Sequence, residues 1–428
     1  MKRIFSLPLL FLVALAGLPT TAKADEVTDW NGHLLTALIT SNTTGLAASR
    51  PAAIVHVSIY DAVNGIERRF EPLRVQPDAE PGASKRAAAV QAAYASLVRL
   101  FPAQATDLEA KRAASLANIS SGEAAEHSQS IARGIRWGQA VADAIWEWRL
   151  TDGFTPTPPA NNGNTAIGQW RPTPPANASF ALVQFATMTP WAIPSPAQFP
   201  LNGPPALSSS VYTADFNEVK SLGKSDSNAR TQTQTDIARF WASGNSPNYL
   251  WNRVAGRLAA ERHTTLSENA RLFALLNVAI ADAGISVWNG KKTFNFWRPI
   301  TAIQLADSDP NVGTIGDPNW LPLVTTPPYP DYPSGLCGTS GGGIGVLADF
   351  FGENSVFFMD SNGLPNVVRS FANFQSAQDE CVDARVFSGI HFRTADFDGA
   401  QLGRAIARYI IANKFQSEHG NRNGQIRK

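Results

Sequence analysis

Residues 270–288 read ARLFALLNVAIADAGISVW and are apolar on nearly every face of a helix. They follow Thr265-Leu266-Ser267-Glu268, which has the Ser/Thr-x-x-Glu spacing of a capping box at a helix start. A helix that is hydrophobic all round belongs in the interior of a protein rather than at its surface. This stretch therefore predicts a long helix in the centre of a helical bundle.

The rest of the chain predicts an all-α protein with two bundle-like halves. Residues 27–151 are rich in Ala and helical in pattern, and alternating apolar and polar strands are scarce throughout. Residues 151–210 contain 12 of the 29 prolines, a density that blocks long helices and central strands. We predict an N-terminal helical bundle at 25–151, a Pro-rich connecting or capping segment at 152–225, and a C-terminal bundle at 226–428.

Aromatic residues within the Pro-rich segment argue that it is ordered. Trp170, Phe180, Phe185 and Trp191 would need to be buried, which a flexible linker could not provide. We therefore expect an irregular but packed segment.

The first 24 residues predict a secretory signal peptide. Two basic residues precede an apolar run, and Ala22-Lys23-Ala24 has the small-x-small pattern of a cleavage site. The run is too short for a membrane anchor, and we expect no later segment to be apolar enough to span a bilayer. The sequence thus predicts a secreted or periplasmic protein whose mature chain begins near Asp25.

Composition limits the partners and the metals. A formal net charge of +1 argues against a nucleic-acid or membrane-surface partner, because a balanced surface engages neither electrostatic field. The two cysteines, Cys337 and Cys381, are too few for a zinc site without neighbouring histidines. In an oxidising compartment they form either a disulfide or two free thiols.

Three short segments concentrate cations and anion-binding turns. In KKTFNFWRP two cations recur on one helical face after two turns. PSGL offers a hydroxyl and a backbone amide at a helix start, where anions bind, and DARVFSGIHF contributes an Arg and a His. In chain order the candidate site residues are Lys291, Arg298, Ser334, Gly335, Arg385 and His391.

In this order, the motifs Lys-x6-Arg-Pro, Pro-Ser-Gly and Arg-x5-His resemble the signature of the vanadium-dependent haloperoxidases, the type 2 phosphatidic acid phosphatases and the bacterial acid phosphatases. Residues 281–303, ADAGISVWNGKKTFNFWRPITAI, look like the matching helix of the fungal-type vanadium chloroperoxidases and their bacterial relatives. Residues 27–39 and 52–67 also resemble the secreted bacterial haloperoxidase-like group. The resemblance favours this group over the membrane lipid phosphatases.

The resemblance implies a fold of two helical bundles of the vanadium chloroperoxidase type and a vanadate cofactor, in a site that phosphate or sulfate can also occupy. It assigns the vanadate oxygens to Lys291, Arg298, Ser334, the Gly335 amide and Arg385. It further implies that Nε2 of His391 binds the vanadium and that Lys291 polarises bound peroxide. The implied partners are hydrogen peroxide, halide and small organic acceptors, with bromide or iodide in preference to chloride. A homo-oligomer is compatible with the sequence.

This chain departs from the family pattern at three positions. The family usually has His after Pro-Ser-Gly, where it acts as an acid/base group, whereas this chain has Leu336. Because Leu cannot transfer a proton, assistance often worth about 10²- to 10⁴-fold is missing there. Ala384 stands where a Ser commonly precedes the Arg, and Ala395 stands where an acidic residue is expected.

These departures leave the partner of His391 open. Asp396, Asp398 or a backbone carbonyl could set its tautomer, and Asp383 or a water could replace the missing acid/base group.

The residues that follow the Pro-Ser-Gly turn suggest tight packing around the site. Gly338, Ser340, Gly341 and Gly342 predict a helix that packs closely on a neighbour rather than one that supplies further ligands. The two cysteines flank segments that the resemblance brings to one anion, so a disulfide between them would clamp the site.

Two further functions are compatible with these motifs. In the related phosphatases the residue at His391 is the nucleophile, so an acid phosphatase is one alternative. A non-catalytic oxyanion-binding homologue is the other, since the anion contacts are present and the acid/base His is absent. The haloperoxidase-like sequence before Arg298 favours the haloperoxidase.

Overall fold

A computed structural model describes residues 25–418 apart from 123, 244–246 and 365. About 60% of the protein is helical, with 13 α-helices among the described residues and a two-stranded sheet. This confirms the predicted all-α class. The signal peptide predicted for residues 1–24 lies outside the described residues and stays a prediction.

The helices fall on either side of the Pro-rich segment. Those before it are α1 (Glu26–Thr40), α2 (Ser49–Glu67), α3 (Lys85–Leu100), α4 (Ala105–Ser121) and α5 (Ser128–Leu150). Those from its end onward are α6 (Ser210–Leu222), α7 (Gln232–Ala242), α8 (Pro247–Glu261), α9 (Leu266–Phe294), α10 (Pro299–Gln304), α11 (Gly335–Phe351), α12 (Phe374–Phe387) and α13 (Arg393–Asn413). Strands β1 (Phe357–Asp360) and β2 (Val368–Phe371) form an antiparallel hairpin in which Phe357 pairs with Phe371. Short 3₁₀ turns lie at Gly45–Ala48, Pro102–Gln104, Val183–Thr187 and Ala306–Ser308.

Helix α9 runs through the middle of the protein, as its sequence predicts. The capping box forms: the Thr265 hydroxyl accepts a hydrogen bond from the Glu268 amide, and the Glu268 carboxylate accepts one from the Thr265 amide. The helix ends at Asn295, which has the left-handed φ of 46°. Helices α2, α8, α11 and α13 all contact it. One continuous core of buried apolar residues consequently includes both sides of the Pro-rich segment.

By length and composition, α9 is also long and apolar enough to cross a membrane. The prediction that no segment after the leader has this composition is therefore wrong. However, 94% of its most apolar window is buried inside the protein. The apolar composition thus serves contacts with neighbouring helices, as in the core helix of a bundle.

Helix α11 packs unusually closely on α9 and α13 because its glycines lack side chains. A Cβ at Gly342 would come within 2.8 Å of the Ala279 carbonyl oxygen of α9, and one at Gly338 within 2.5 Å of Val287. On the partner helix α13, a Cβ at Gly403 would overlap the carbonyl oxygen of Gly338. The predicted close helix contact is confirmed.

A buried carboxylate of α9 accepts three hydrogen bonds from the Pro-rich segment. Asp282 accepts hydrogen bonds from the successive amides of Trp191, Ala192 and Ile193, at 2.7, 2.9 and 3.1 Å. The four aromatic side chains of the segment are buried, as predicted: Trp170, Phe180, Phe185 and Trp191. One acidic side chain of α9 thereby fixes three successive residues of this irregular stretch.

We expect Gly403→Ala to destabilise the protein by about 1–3 kcal/mol, the usual cost of overpacking a filled interior. The added methyl would overlap backbone of α11, which cannot rotate away. Gly256→Ala in α8 is the matched control, because a Cβ there meets nothing within 4 Å. This control should be neutral or stabilising by up to about 1 kcal/mol, since Ala favours helix. Urea unfolding measures both, and equal effects would contradict the close contact.

The Asp282 anchor gives the protein a defined dependence of stability on pH. Burial raises the pKa of Asp282 from 3.8 to about 6, although three amides and Arg149 act in the opposite direction. Between these two pKa values the folded state binds the proton more tightly than the unfolded chain does. The contribution of this group to the free energy of unfolding therefore falls as pH rises from about 4 to about 6.

We expect Asp282→Asn to lower stability by about 1–3 kcal/mol, because the Asn amide cannot accept all three hydrogen bonds. The difference in free energy of unfolding between wild type and variant should be larger at pH 4 than at pH 7. Exposed Asp236→Asn is the control and should show no such difference. Urea titrations at both pH values test this, and a pH-independent difference would contradict the raised pKa.

Candidate functional site

The predicted site residues come together where several elements end or begin. Helix α9 supplies a cation from its last turn, α10 begins at a second, α11 begins at the Pro-Ser-Gly turn, and α12 supplies a third cation. The loop before α13 supplies the histidine. All six predicted residues are buried: Lys291, Arg298, Ser334, Gly335, Arg385 and His391.

Lys291 is fully buried and donates hydrogen bonds to two backbone carbonyls. Its Nζ lies 2.6 Å from the Pro330 oxygen and 2.9 Å from the Asp331 oxygen. The ammonium also lies 5.0 Å from the centre of the Tyr329 ring, within cation–π range. Burial, followed by the neighbouring charge of Arg298, lowers the pKa of Lys291 well below its ordinary value. A nearby anion would raise this pKa again, because an opposite charge favours the charged form.

Arg298 joins the loop before α11 to the loop before α13. Its Nε donates to the Tyr329 carbonyl at 2.7 Å, and its Nη1 donates to the Ile390 carbonyl at 2.6 Å. Its Nη2 is buried and has no hydrogen-bond partner among the described residues. The guanidinium consequently has one donor nitrogen available for a bound anion.

His391 lies between Arg298 and a carboxylate. Its Nε2 is 3.1 Å from Nη1 of Arg298, and its Nδ1 is 2.8 Å from Oδ1 of Asp331. Because Arg is always a donor, Nε2 faces a donor while Nδ1 faces an acceptor, which favours the neutral tautomer with its proton on Nδ1. Burial, with the charges of Arg298, Lys291 and Arg385, lowers the pKa of His391 well below 6.5. A neutral imidazole whose lone pair is on Nε2 suits either metal binding or nucleophilic attack, once Nε2 exchanges its contact with Arg298 for one with a ligand.

The contact with Asp331 differs from the sequence-based candidates for the partner of His391. Asp398 instead accepts a hydrogen bond from the Tyr332 hydroxyl at 2.7 Å. Asp396 lies against Cys337, whose Sγ is 3.5 Å from its Oδ1. The signal for Asp331 was present in YPDYPSG, where an acidic residue stands three positions before Ser334.

Asp331 does not cancel the positive charge of the site. It is fully buried, and burial raises its pKa to about 7, while Arg298 and Lys291 oppose the rise. Burial likewise raises the pKa of Asp396 well above its ordinary value. With a pKa of about 7, Asp331 offsets the neighbouring cations only in part near neutral pH.

The arrangement fits an oxyanion. Buried Nε of Arg385, like Nη2 of Arg298, has no partner among the described residues. Ser334 caps α11 and Gly335 begins it, so the positive end of a 17-residue helix faces the same place. The described residues hold no group of three or more His, Cys, Asp and Glu that could bind a bare metal cation. A site with one imidazole among several cationic side chains therefore suits either a metal oxyanion such as vanadate or a phosphate ion.

Comparisons with known proteins agree with this site. A family model for the VCPO (vanadium chloroperoxidase) second helical-bundle domain matches residues 271–419, which include all six site residues. The vanadium chloroperoxidase of Curvularia inaequalis is 29% identical, over 47% of this chain and 43% of that protein. A bacterial vanadium-dependent iodoperoxidase structure is 26% identical, with a TM-score of 0.78 over 92% of this chain and 96% of the other. Over most of its length the chain is similar to vanadium-dependent haloperoxidases, and its C-terminal part matches their second helical-bundle domain.

A more distant structure shows the same fold. The holo-type bacterial vanadium-dependent chloroperoxidase is 15% identical, with a TM-score of 0.63 over 92% of this chain and 93% of the other. The match with the Curvularia protein spans less than half of that protein's length.

Leu336 lies beside the candidate anion site. Its half-buried side chain lines a cavity of about 330 Å³, together with Gly335 and Arg385. The residue in place of the family's His therefore faces the space next to the cations. It offers only an apolar surface there.

The predicted disulfide is wrong for this structure. Cys337 and Cys381 are brought together, as expected, but they are free thiols whose Sγ atoms lie 3.5 Å apart. A disulfide requires about 2.05 Å between the sulfurs. Both thiols are buried, and burial raises the pKa of Cys337 well above its ordinary value. The clamp between α11 and α12 is therefore a packing contact rather than a covalent bond.

Proposed function

We propose that this protein is a vanadate-dependent haloperoxidase that oxidises bromide or iodide, in preference to chloride, with hydrogen peroxide. The observation that carries the proposal is a neutral His391 surrounded by three buried cations. Two of these, Arg298 and Arg385, have donor nitrogens without a partner among the described residues. The predicted leader peptide supports a secreted or periplasmic location.

In this proposal each residue has a role that its chemistry allows. Arg298 and Arg385 hold vanadate oxygens through charged hydrogen bonds, and Lys291 adds a point charge. The Ser334 hydroxyl and Gly335 amide donate to the remaining oxygens, and Nε2 of His391 binds the vanadium. Vanadate, when bound, supplies the activation of hydrogen peroxide.

The protein groups account for orientation and proton placement. Asp331 contacts Nδ1 of His391 and so keeps the Nε2 lone pair directed at the cradle. The carbonyls of Pro330 and Asp331 hold Lys291 with its ammonium group in the site. Leu336 can neither accept nor donate a proton, so turnover is expected to be slow, and easily oxidised halides are the favoured substrates. The iodoperoxidase among the similar structures supports the same halide order.

Phosphatase chemistry is the second candidate, because a neutral His391 can act as a nucleophile on a phosphate bound to the same cations. Leu336 weakens this reading, since no described acid stands there to protonate the leaving group. A protein that binds oxyanions without turnover is the third possibility.

We expect the purified protein to oxidise bromide with peroxide only after orthovanadate is added, and His391→Ala to abolish this activity. Exposed His127→Ala is the matched control and should retain it. The assay follows halogenation of a dye at mildly acidic and neutral pH. Phosphomonoester hydrolysis without vanadate would instead favour the phosphatase, and the absence of both activities would favour a binding protein.

We expect Arg385→Leu to weaken orthophosphate binding by about 10- to 100-fold, because a hydrogen bond to a charged group contributes roughly 1.5–3 kcal/mol. Arg136→Leu is the control, since this exposed arginine pairs with Glu80 away from the site. Isothermal titration calorimetry gives both affinities. An unchanged affinity in Arg385→Leu would argue against its place in the cradle.

A further inference from the structure

Two of the three buried cations of the site contact the same aromatic ring. Nζ of Lys291 lies 5.0 Å from the centre of the Tyr329 ring, and Cζ of Arg298 lies 4.9 Å from it. A second ring, that of Trp288, has its centre 5.7 Å from the same Nζ. All three distances are within the range of cation–π interactions, which extends to about 6 Å. One side chain, that of Tyr329, therefore interacts with both cations.

The position of Tyr329 is set by its neighbours along the chain and in space. The residue lies in the stretch PPYP at 327–330, where prolines on both sides restrict the backbone. Its carbonyl accepts a hydrogen bond from Nε of Arg298 at 2.7 Å. Its ring packs against that of Trp288, with ring centres 4.9 Å apart at 53°. The carbonyl contact belongs to the backbone, so a substitution of the side chain tests the ring by itself.

An aromatic ring stabilises a buried cation without cancelling its charge. The face of the ring carries partial negative charge, but the ring as a whole is neutral. Among the described residues, no carboxylate accepts a hydrogen bond from Lys291 or Arg298, and Nη1 of Arg298 is 3.9 Å from Oδ1 of Asp331. A carboxylate paired directly with either cation would weaken its attraction for an anion. The ring offsets part of the cost of burial and leaves that attraction in place.

We propose that Tyr329 is a positioning residue of the anion site, whose ring face holds Lys291 and Arg298 by cation–π contacts and so strengthens the binding of an oxyanion. The inference rests on the oxyanion site of the proposed function. It adds to that site a residue that lies outside the three sequence motifs.

Orthophosphate binding to the purified protein at one fixed pH, measured by isothermal titration calorimetry, tests this role. Tyr329→Phe keeps the ring and should stay within about twofold of wild type, whereas Tyr329→Leu should weaken binding about five- to thirtyfold. Tyr94→Leu is the matched control. It removes a ring whose centre lies 4.9 Å from Cζ of Arg112, between α3 and α4, and it should bind orthophosphate as wild type does.

A series of fluorinated phenylalanines at position 329 separates the electrostatics of the ring from its packing. Fluorine withdraws electron density from the ring face, while the ring keeps nearly the same shape. The affinity for orthophosphate should therefore fall stepwise from phenylalanine through 4-fluoro- to 3,4,5-trifluorophenylalanine. A role in packing alone predicts equal affinity along the series. This series decides the question even where Tyr329→Leu does not fold.

Three results would overturn the proposal: wild-type affinity in folded Tyr329→Leu, equal affinity along the fluorinated series, or no binding of orthophosphate by the wild type. The last result would also reject the oxyanion site. None of these measurements depends on turnover, so failure of the haloperoxidase assay is a separate outcome. Affinity that falls with fluorination, in protein that oxidises no bromide, would support the role of Tyr329 and reject the proposed reaction.

Discussion

The constraint on which this structure depends is the burial of three cations at one point. Lys291 and Arg298 are fully buried, and Arg385 is 6% exposed. Removing a charge from water costs several kcal/mol unless it is paired and hydrogen-bonded. Backbone carbonyls satisfy part of this need, but burial raises the pKa values of the neighbouring carboxyl groups of Asp331 and Asp396, which disfavours their charged forms. A bound oxyanion would pair with these cations and offset the remaining cost of their burial. Electrostatics alone therefore suits the fold to an anionic ligand.

Helix packing keeps the groups around this point in place. Helix α9 is buried in the core and carries Lys291 in its last turn. The Asp282 carboxylate of the same helix accepts hydrogen bonds from three amides of the Pro-rich segment. The glycines of α11 and α13 let these helices approach until their backbones touch. The start of α11 is thereby set against the first turn of α13, which follows the loop that carries His391, because the Ser334 amide donates a hydrogen bond to the Ala395 carbonyl at 2.8 Å. Rigid positioning of this kind reduces the reorganisation that anion binding requires.

The parts that could be predicted from the sequence are those that depend on local pattern. The capping box and the continuous apolar composition predict helix α9 and its central position. Motif spacing, together with the family resemblance, predicts which six residues form the site. The contact between His391 and Asp331 could not be predicted in this way, because it depends on how the loop before α11 folds back. Asp396 and Asp398 are nearer to His391 in sequence, but the direction of α13 turns them toward other partners.

Cysteine pairing failed as a prediction for a related reason. The motif order predicts that the chain segments containing Cys337 and Cys381 lie close together. In the structure these segments do lie close together. A disulfide requires in addition a particular separation and direction of two side chains, which backbone convergence does not determine. Convergence is therefore predictable from motif order, whereas bonding between side chains is not.

The replacement of a His by Leu336 links the chemistry of the site to its shape. A His there would add a hydrogen-bond donor and an acceptor facing the cradle, whereas the Leu side chain adds neither. The half-buried Leu336 instead places apolar surface in the cavity that Arg385 also lines. Any proton transfer to or from an anion in the cradle therefore has to involve another side chain or solvent.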